Sequence, residues 1–239
     1  LHLYARRQRQ MCIRDRPRLL GISGRIEANS DKKMIPYEIG NLKVISTGLI
    51  TSNEDTALMW RGLMVSKALE QFLTDVQWGD LDYMIIDLPP GTGDIQMALS
   101  RLLPQAELIV ITTPQLMAQK VATRVADMAK RSFIPLLGVI ENMSYFESNT
   151  GEKFNIFGEG GGEALSDKFG IPLLGKIPIG ENTNDIADGG TPLINQENNS
   201  VTKVEIEKLI NNIAIKLPPI IDETCTGRLA KVFEELSNQ

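Results

Sequence analysis

The most constraining feature of this sequence is one run, Asp82-Tyr83-Met84-Ile85-Ile86-Asp87-Leu88-Pro89-Pro90-Gly91-Thr92-Gly93-Asp94. Tyr83 to Ile86 are β-formers without polar alternation, the pattern of a strand buried on both faces of a parallel sheet. Asp87 then falls at the carboxyl end of that strand, where open α/β sheets gather their ligands. The two prolines deny the next residues a regular ladder, and Gly91 and Gly93 let backbone N–H groups crowd together. These residue types suit an acid that holds a nucleotide-bound magnesium ion through water, with a phosphate-sensing loop behind it. A bare Asp-x-Pro-x-Gly would more often be a strand ending in an Asx-type turn. The longer string is far more specific.

Around this run the chain alternates. Strands are expected at Leu42–Ser46, Glu107–Thr112, Pro135–Ile140 and Pro172–Ile177. Apolar residues at helical spacing mark helices near Ala57–Val76, Ile95–Leu103, Leu116–Arg131, Glu163–Phe169 and Val201–Lys216. Short connections between them predict right-handed βαβ units and a mostly parallel sheet with helices on both faces. Asp94 and Ser200 sit where helix caps belong. Gly24 to Gly40 is polar and irregular and reads as a surface connection. Glu141-Asn142-Met143-Ser144 closes the strand before it. Asn149-Thr150-Gly151 reads as a turn, with Phe154 to Phe157 returning as a short hairpin arm. Gly158-Glu159-Gly160-Gly161-Gly162 lacks the Lys-Ser/Thr ending of a phosphate loop and reads as a flexible connection.

Composition removes several function classes. The 239 residues hold one His, at position 2, and two Cys, Cys12 and Cys225. A Ser-His-Asp or Cys-His apparatus cannot be assembled from the body of such a chain. One chain cannot give four thiolates to an iron–sulfur cluster, and a lone Cys225 is more ordinarily an idle thiol than a ligand. Sparse cysteine fits a reducing, cytoplasmic setting. Residues 1–16 hold five Arg against one Asp, so the body is more acidic than the whole chain's formal charge of -5. An acidic body argues against nucleic acid as a partner, and no apolar run has the length of a membrane span.

The string Ile86-Asp87-Leu88-Pro89-Pro90-Gly91-Thr92-Gly93-Asp94 resembles the switch region of the Mrp (ApbC-type) family of iron–sulfur cluster carrier P-loop ATPases. Trp60-Arg61-Gly62, Trp78-Gly79-Asp80-Leu81-Asp82-Tyr83, Thr112-Thr113-Pro114-Gln115, Glu141 to Phe146 and Ile156 to Gly161 match in order, and the resemblance covers roughly Pro17 to Lys216. It implies ATP and Mg2+ as ligands, homodimers, and iron–sulfur apoprotein clients in the cytoplasm. It implies Asp87 as the acid on the magnesium side and Gly91 as part of the phosphate sensor. Asn142 would pair with the adenine edge, since an Asn both donates and accepts, although a turn Asn is commoner in general. Pro114, Pro178 and Ile179 would line the nucleotide rim.

Departures from the family pattern matter equally. No G-x-x-x-x-G-K-[ST] occurs; Gly175-Lys176 is followed by Ile177-Pro178. Residues 1–16 resemble translated adapter sequence rather than protein, residues 17–217 a partial ATPase domain lacking its first strand and P-loop, and residues 218–239 a tail with a short helix. Negligible ATPase activity is the expectation for such a chain. The Cys-x-x-Cys that many members carry after Asn-Met-Ser-Tyr-Phe is also absent, and Ser and carboxylate oxygens are poor ligands for a [4Fe–4S] cluster. A ParA/MinD-like switch that binds a protein partner without a cluster is therefore the alternative to a carrier.

Overall fold

The computed structural model describes residues 17, 19–50, 63–88, 94–148, 150–180 and 200–218. Four short strands come first: β1 (Glu27–Ala28), β2 (Met34–Ile35), β3 (Tyr37–Ile39) and β4 (Leu42–Val44). They pair as two antiparallel hairpins, β1 with β2 and β3 with β4. The polar stretch from Gly24 to Gly40, expected as an irregular connection, thus carries three strands. The tight turns decide this: Asn29 Oδ1 accepts from the backbone N–H groups of Asp31 and Lys33 at 3.0 and 2.8 Å, and Gly40 turns at φ 57°. Asx turns of this kind bring strands together without apolar alternation.

Helices α1 (Leu63–Thr74) and α2 (Asp94–Leu102) flank the run from Asp82 to Leu88. That run is not the expected strand. No strand among the described residues pairs with it, and Ile85 is 92% exposed. An apolar run becomes a strand only where a neighbour completes its ladder, and its sequence alone could not reveal that no described strand does so here.

The main sheet comprises β5 (Leu108–Thr112), β6 (Leu136–Glu147), β7 (Lys153–Phe154) and β8 (Leu173–Ile179). β6 lies between β5 and β8 and runs parallel to both, while β7 pairs antiparallel with its far end. Helices α3 (Leu116–Arg131) and α4 (Gly161–Phe169) cover one face; α5 (Val201–Lys216) covers the other. Period-2 alternation feeds both layers. Val110 and Val139 pack with Ala122, Ala126 and Leu165, whereas Leu137, Ile140 and Leu174 pack with Leu209. The fold is therefore α/β with a mostly parallel sheet and helices on both faces. Ser200 caps α5 as expected, its Oγ accepting from Lys203 N at 3.3 Å.

Two boundaries move. β6 continues to Glu147 rather than closing at Glu141 to Ser144, with a register break between Asn142 and Phe146 and a left-handed Met143 at φ 53°. α4 begins at Gly161, so Gly161 and Gly162 are buried helix residues and not a flexible connection.

Candidate functional site

The carboxyl ends of β5 and β8, with the point on β6 where the parallel ladder breaks, form one rim. Sheet register sets Thr112 beside Glu141, Glu141 beside Lys176, and Asn142 beside Ile177. Four of the expected site residues meet on it. Pro114 is buried in the turn between β5 and α3, where Gln119 Nε2 donates to its carbonyl at 2.7 Å. Asn142 is half-buried, and its Oδ1 accepts from Met143 N at 2.9 Å. Pro178 is buried and Ile179 half-buried at the end of β8. Thr113 Oγ1, in the same turn as Pro114, is buried with no partner among the described residues.

Asp87 is exposed, on the segment that no ladder joins to this sheet. Gly91, Trp60-Arg61-Gly62 and Cys225 lie outside the described residues, as does the side chain of Asp94.

Beneath the rim lies a polar cluster to which the sequence reading gave no role. Glu141 is fully buried, at 0% exposure, although it ends an apolar run. One carboxylate oxygen accepts from Ser144 Oγ and the other from Gly162 N at 2.5 Å. Lys176 Nζ lies 3.9 Å from Glu141 and forms a closer ion pair with Glu163. The helix α4 thus directs its positive amino-terminal end at a carboxylate of the same chain, the arrangement that a helix dipole favours. The glycines permit the approach. A Cβ on Gly161 would come within 2.9 Å of Pro114 Cα and Thr113 O, and one on Gly162 within 2.9 Å of Glu141 Cβ.

The charges in this cluster support each other. Burial pulls the Lys176 ammonium down, but its hydrogen bond to Glu163 and the charges of Glu163, Glu141 and Glu159 outweigh this and hold it above the usual lysine range. Burial likewise pushes Glu163 up, yet the hydrogen bonds from Lys176 and from its own backbone, with the ammonium charge, hold it below the usual carboxylate range. An ionisable residue closing an apolar strand was the one signal in the sequence that pointed here.

Among the described residues no group of three or more His, Cys, Asp or Glu side chains could hold a metal ion. A magnesium ion carried on nucleotide phosphates needs no such cage, because one or two carboxylates and water complete its shell. Among the expected site residues Asp87 is the one exposed carboxylate.

Residues 11–214 match the ParA family model described as the NUBPL iron-transfer P-loop NTPase. The chain belongs to this family. It is 41% identical over 191 residues to an iron-sulfur cluster carrier protein of Deinococcus radiodurans, a match that covers 80% of this chain and 54% of the relative. It is 36% identical over 208 residues to the protein of the same description in Aquifex aeolicus, covering 86% of this chain and 56% of that one. The chain thus spans about half the length of the curated relatives it matches. Among solved structures it resembles a nucleotide-binding protein from Archaeoglobus fulgidus in complex with ADP, at 30% identity and a TM-score of 0.55, over 73% of this chain and 68% of that one. The family assignment agrees with the resemblance carried by the Asp-Leu-Pro-Pro-Gly-Thr-Gly string, and the α/β architecture with that of a P-loop NTPase. Among the described residues no helix is long and apolar enough to cross a membrane.

Proposed function

We propose that this chain supplies the adenine side and the magnesium-side acid of an ATP-binding and ATP-hydrolysing iron–sulfur cluster carrier. The observation that carries the reading is the shared rim: Pro114 just beyond β5, Asn142 where the parallel ladder of β6 breaks, and Pro178 next to last in β8, on three adjacent parallel strands in a chain of the P-loop NTPase family. Asn142 would pair with the adenine edge, using an Nδ2 that donates to no group among the described residues. Pro114, Pro178 and Ile179 would line the base. Asp87 would hold Mg2+ through water, and Gly91 would sense the γ-phosphate. Phosphoryl transfer to water rests on charge and positioning, not on covalent chemistry. The 239 residues contain no G-x-x-x-x-G-K-[ST] loop, so this chain alone would bind nucleotide weakly and turn it over negligibly. The working protein would be a cytoplasmic homodimer that passes its cluster to apoprotein clients.

Calorimetric titration of the 239-residue chain with Mg·ADP and Mg·GDP tests the adenine assignment. The expected result is binding of ADP in preference to GDP, with the preference lost in Asn142→Ala. Equal affinity for the two nucleotides would remove Asn142 from the adenine contact.

A second reading has one observation in its favour. The segment after Phe146 is Glu147-Ser148-Asn149-Thr150-Gly151-Glu152, without the paired thiolates of many carriers. A nucleotide switch that binds a protein partner would need none. Anaerobic reconstitution separates the two: stoichiometric iron and sulfide on the protein supports the carrier, and their absence supports the switch.

A further inference from the structure

Glu141 is the most deeply buried ionisable side chain among the described residues, and nothing in the proposed chemistry uses it. Burying a carboxylate is costly unless its oxygens are paired and hydrogen-bonded. Here both oxygens are satisfied, each by a group from a different side. Ser144 Oγ donates to one oxygen and thereby bridges the residues between, Asn142 and Met143. Met143 is held at φ 53°, and its N–H donates to Asn142 Oδ1 at 2.9 Å. A non-glycine residue keeps such a left-handed turn only when its surroundings fix it. The other oxygen takes Gly162 N at 2.5 Å and so ties the middle of β6 to the first turn of α4. That turn in turn rests on the Thr113–Pro114 backbone, with no room for a Cβ on Gly161.

We propose that Glu141 is a positioning residue of the nucleotide rim: its carboxylate clamps the middle of β6, just before its register break, to α4 and so fixes the turn that presents the Asn142 amide. The relevance to nucleotide binding rests on the reading of Asn142 as the adenine contact. The clamp itself does not. The hydrogen bonds, rather than the charge alone, carry the effect. A glutamine can repeat them, with its oxygen toward Gly162 N–H and its amide toward a Ser144 hydroxyl turned to accept. An alanine cannot. The glycine-rich loop then has a use as well. It brings a helix amino terminus to an internal carboxylate, where it cannot at the same time receive a ligand phosphate.

The test uses the whole 239-residue chain, labelled with 15N, as wild type, Glu141→Gln, Glu141→Ala and Leu209→Ala. The last is a core truncation on the opposite face of the sheet and controls for lost stability. Without ligand, Glu141→Ala should move the Gly162 amide and the Asn142 side-chain amide resonances, while Glu141→Gln and Leu209→Ala leave the Asn142 signals near their wild-type positions. Sodium formate, which supplies the missing carboxylate, should return the Glu141→Ala signals toward wild type. In a parallel titration Mg·ADP should bind Glu141→Ala about tenfold more weakly, as expected for loss of one to two hydrogen bonds that orient a contact, and formate should recover the loss. Unmoved Asn142 signals in Glu141→Ala would overturn the clamp, as would equal displacement in Leu209→Ala. Should Glu141→Ala not fold, Ser144→Ala replaces it, since it removes half the clamp and leaves the other carboxylate oxygen bonded to Gly162 N–H. Failure of the wild-type chain to bind Mg·ADP would defeat the nucleotide reading, and the resonances alone would still decide the clamp.

Discussion

Replacing Gly162 with alanine sets two physical effects against each other. Gly162 is the second residue of α4, and in a helix interior Ala is favoured over Gly by about 0.8–1.0 kcal/mol. Propensity alone predicts a stabilised protein. Packing predicts the reverse. The new methyl would lie 2.8 Å from Leu173 Cδ1 and 2.9 Å from Glu141 Cβ. The Leu173 methyl can swing away, but Glu141 Cβ is fixed to the backbone of a central strand, so the helix must retreat. Overpacking of this kind costs about 1–3 kcal/mol. Retreat also stretches the bond from Gly162 N–H to Glu141, and a hydrogen bond to a charged group contributes about 1.5–3 kcal/mol. With the propensity gain subtracted and the bond stretched rather than broken, so that only part of its worth is lost, Gly162→Ala should lose about 1–3 kcal/mol. Urea unfolding followed by circular dichroism reads this directly, and with a slope of about 1–3 kcal/mol per molar the midpoint should fall by roughly 1 M. A midpoint at or above that of wild type would refute the close approach between α4 and β6.

Helix α3 ends with Ile134 N bonded to Ala129 O at 2.9 Å and Phe133 N to Lys130 O at 3.3 Å, a Schellman closure with Phe133 at φ 57° and 93% exposed. Glycine is at ease in that conformation and the exposed ring loses little, so Phe133→Gly should raise stability by about 0.5–1 kcal/mol in the same urea assay. Ser200→Ala removes the cap of α5 and should lower stability by about 1 kcal/mol, measured in the same way. Glu163 is held below the usual carboxylate range, so its stabilising contribution is present above that range and is lost as pH falls through its lowered value. Lys176, held above the usual lysine range, keeps its contribution until the pH passes its raised value. Thermal unfolding across acid pH should therefore show a limb that Glu163→Gln flattens; an identical limb in the variant would show that the pair adds nothing.

The parts of the structure legible in the sequence were those whose cause is local or periodic. Leu116–Arg131 was readable to the residue because its apolar positions recur at helical spacing, and Ser200 because a cap acts within three residues. β5 and β6 were legible as buried strands, but their unbroken apolar runs did not tell which side chains meet which helix. What failed was pairing. Tyr83 to Ile86 has the composition of a central strand, yet a ladder needs a neighbour, and composition does not record whether one is there. The 27–39 strands were missed for the opposite reason, since tight Asx and glycine turns make hairpins from residues without alternation. At the site, Pro114 was legible as the residue that follows a strand, whereas Asn142, expected at a strand end, sits at a break within β6. Glu141 with Gly162 and Lys176 was not, because their meeting depends on the register of β6 with β8, on the seating of α4 and on the absence of two Cβ atoms.

The central claim, that the rim of Pro114, Asn142 and Pro178 receives an adenine nucleotide, is tested most directly by titrating Mg·ADP into the 15N-labelled chain. The account predicts shifts at the Asn142 side-chain amide and at the backbone amides of Gln115, Ile177 and Ile179, with none in the hairpins from Glu27 to Val44. Shifts confined to those hairpins, or none at saturating Mg·ADP, would contradict it.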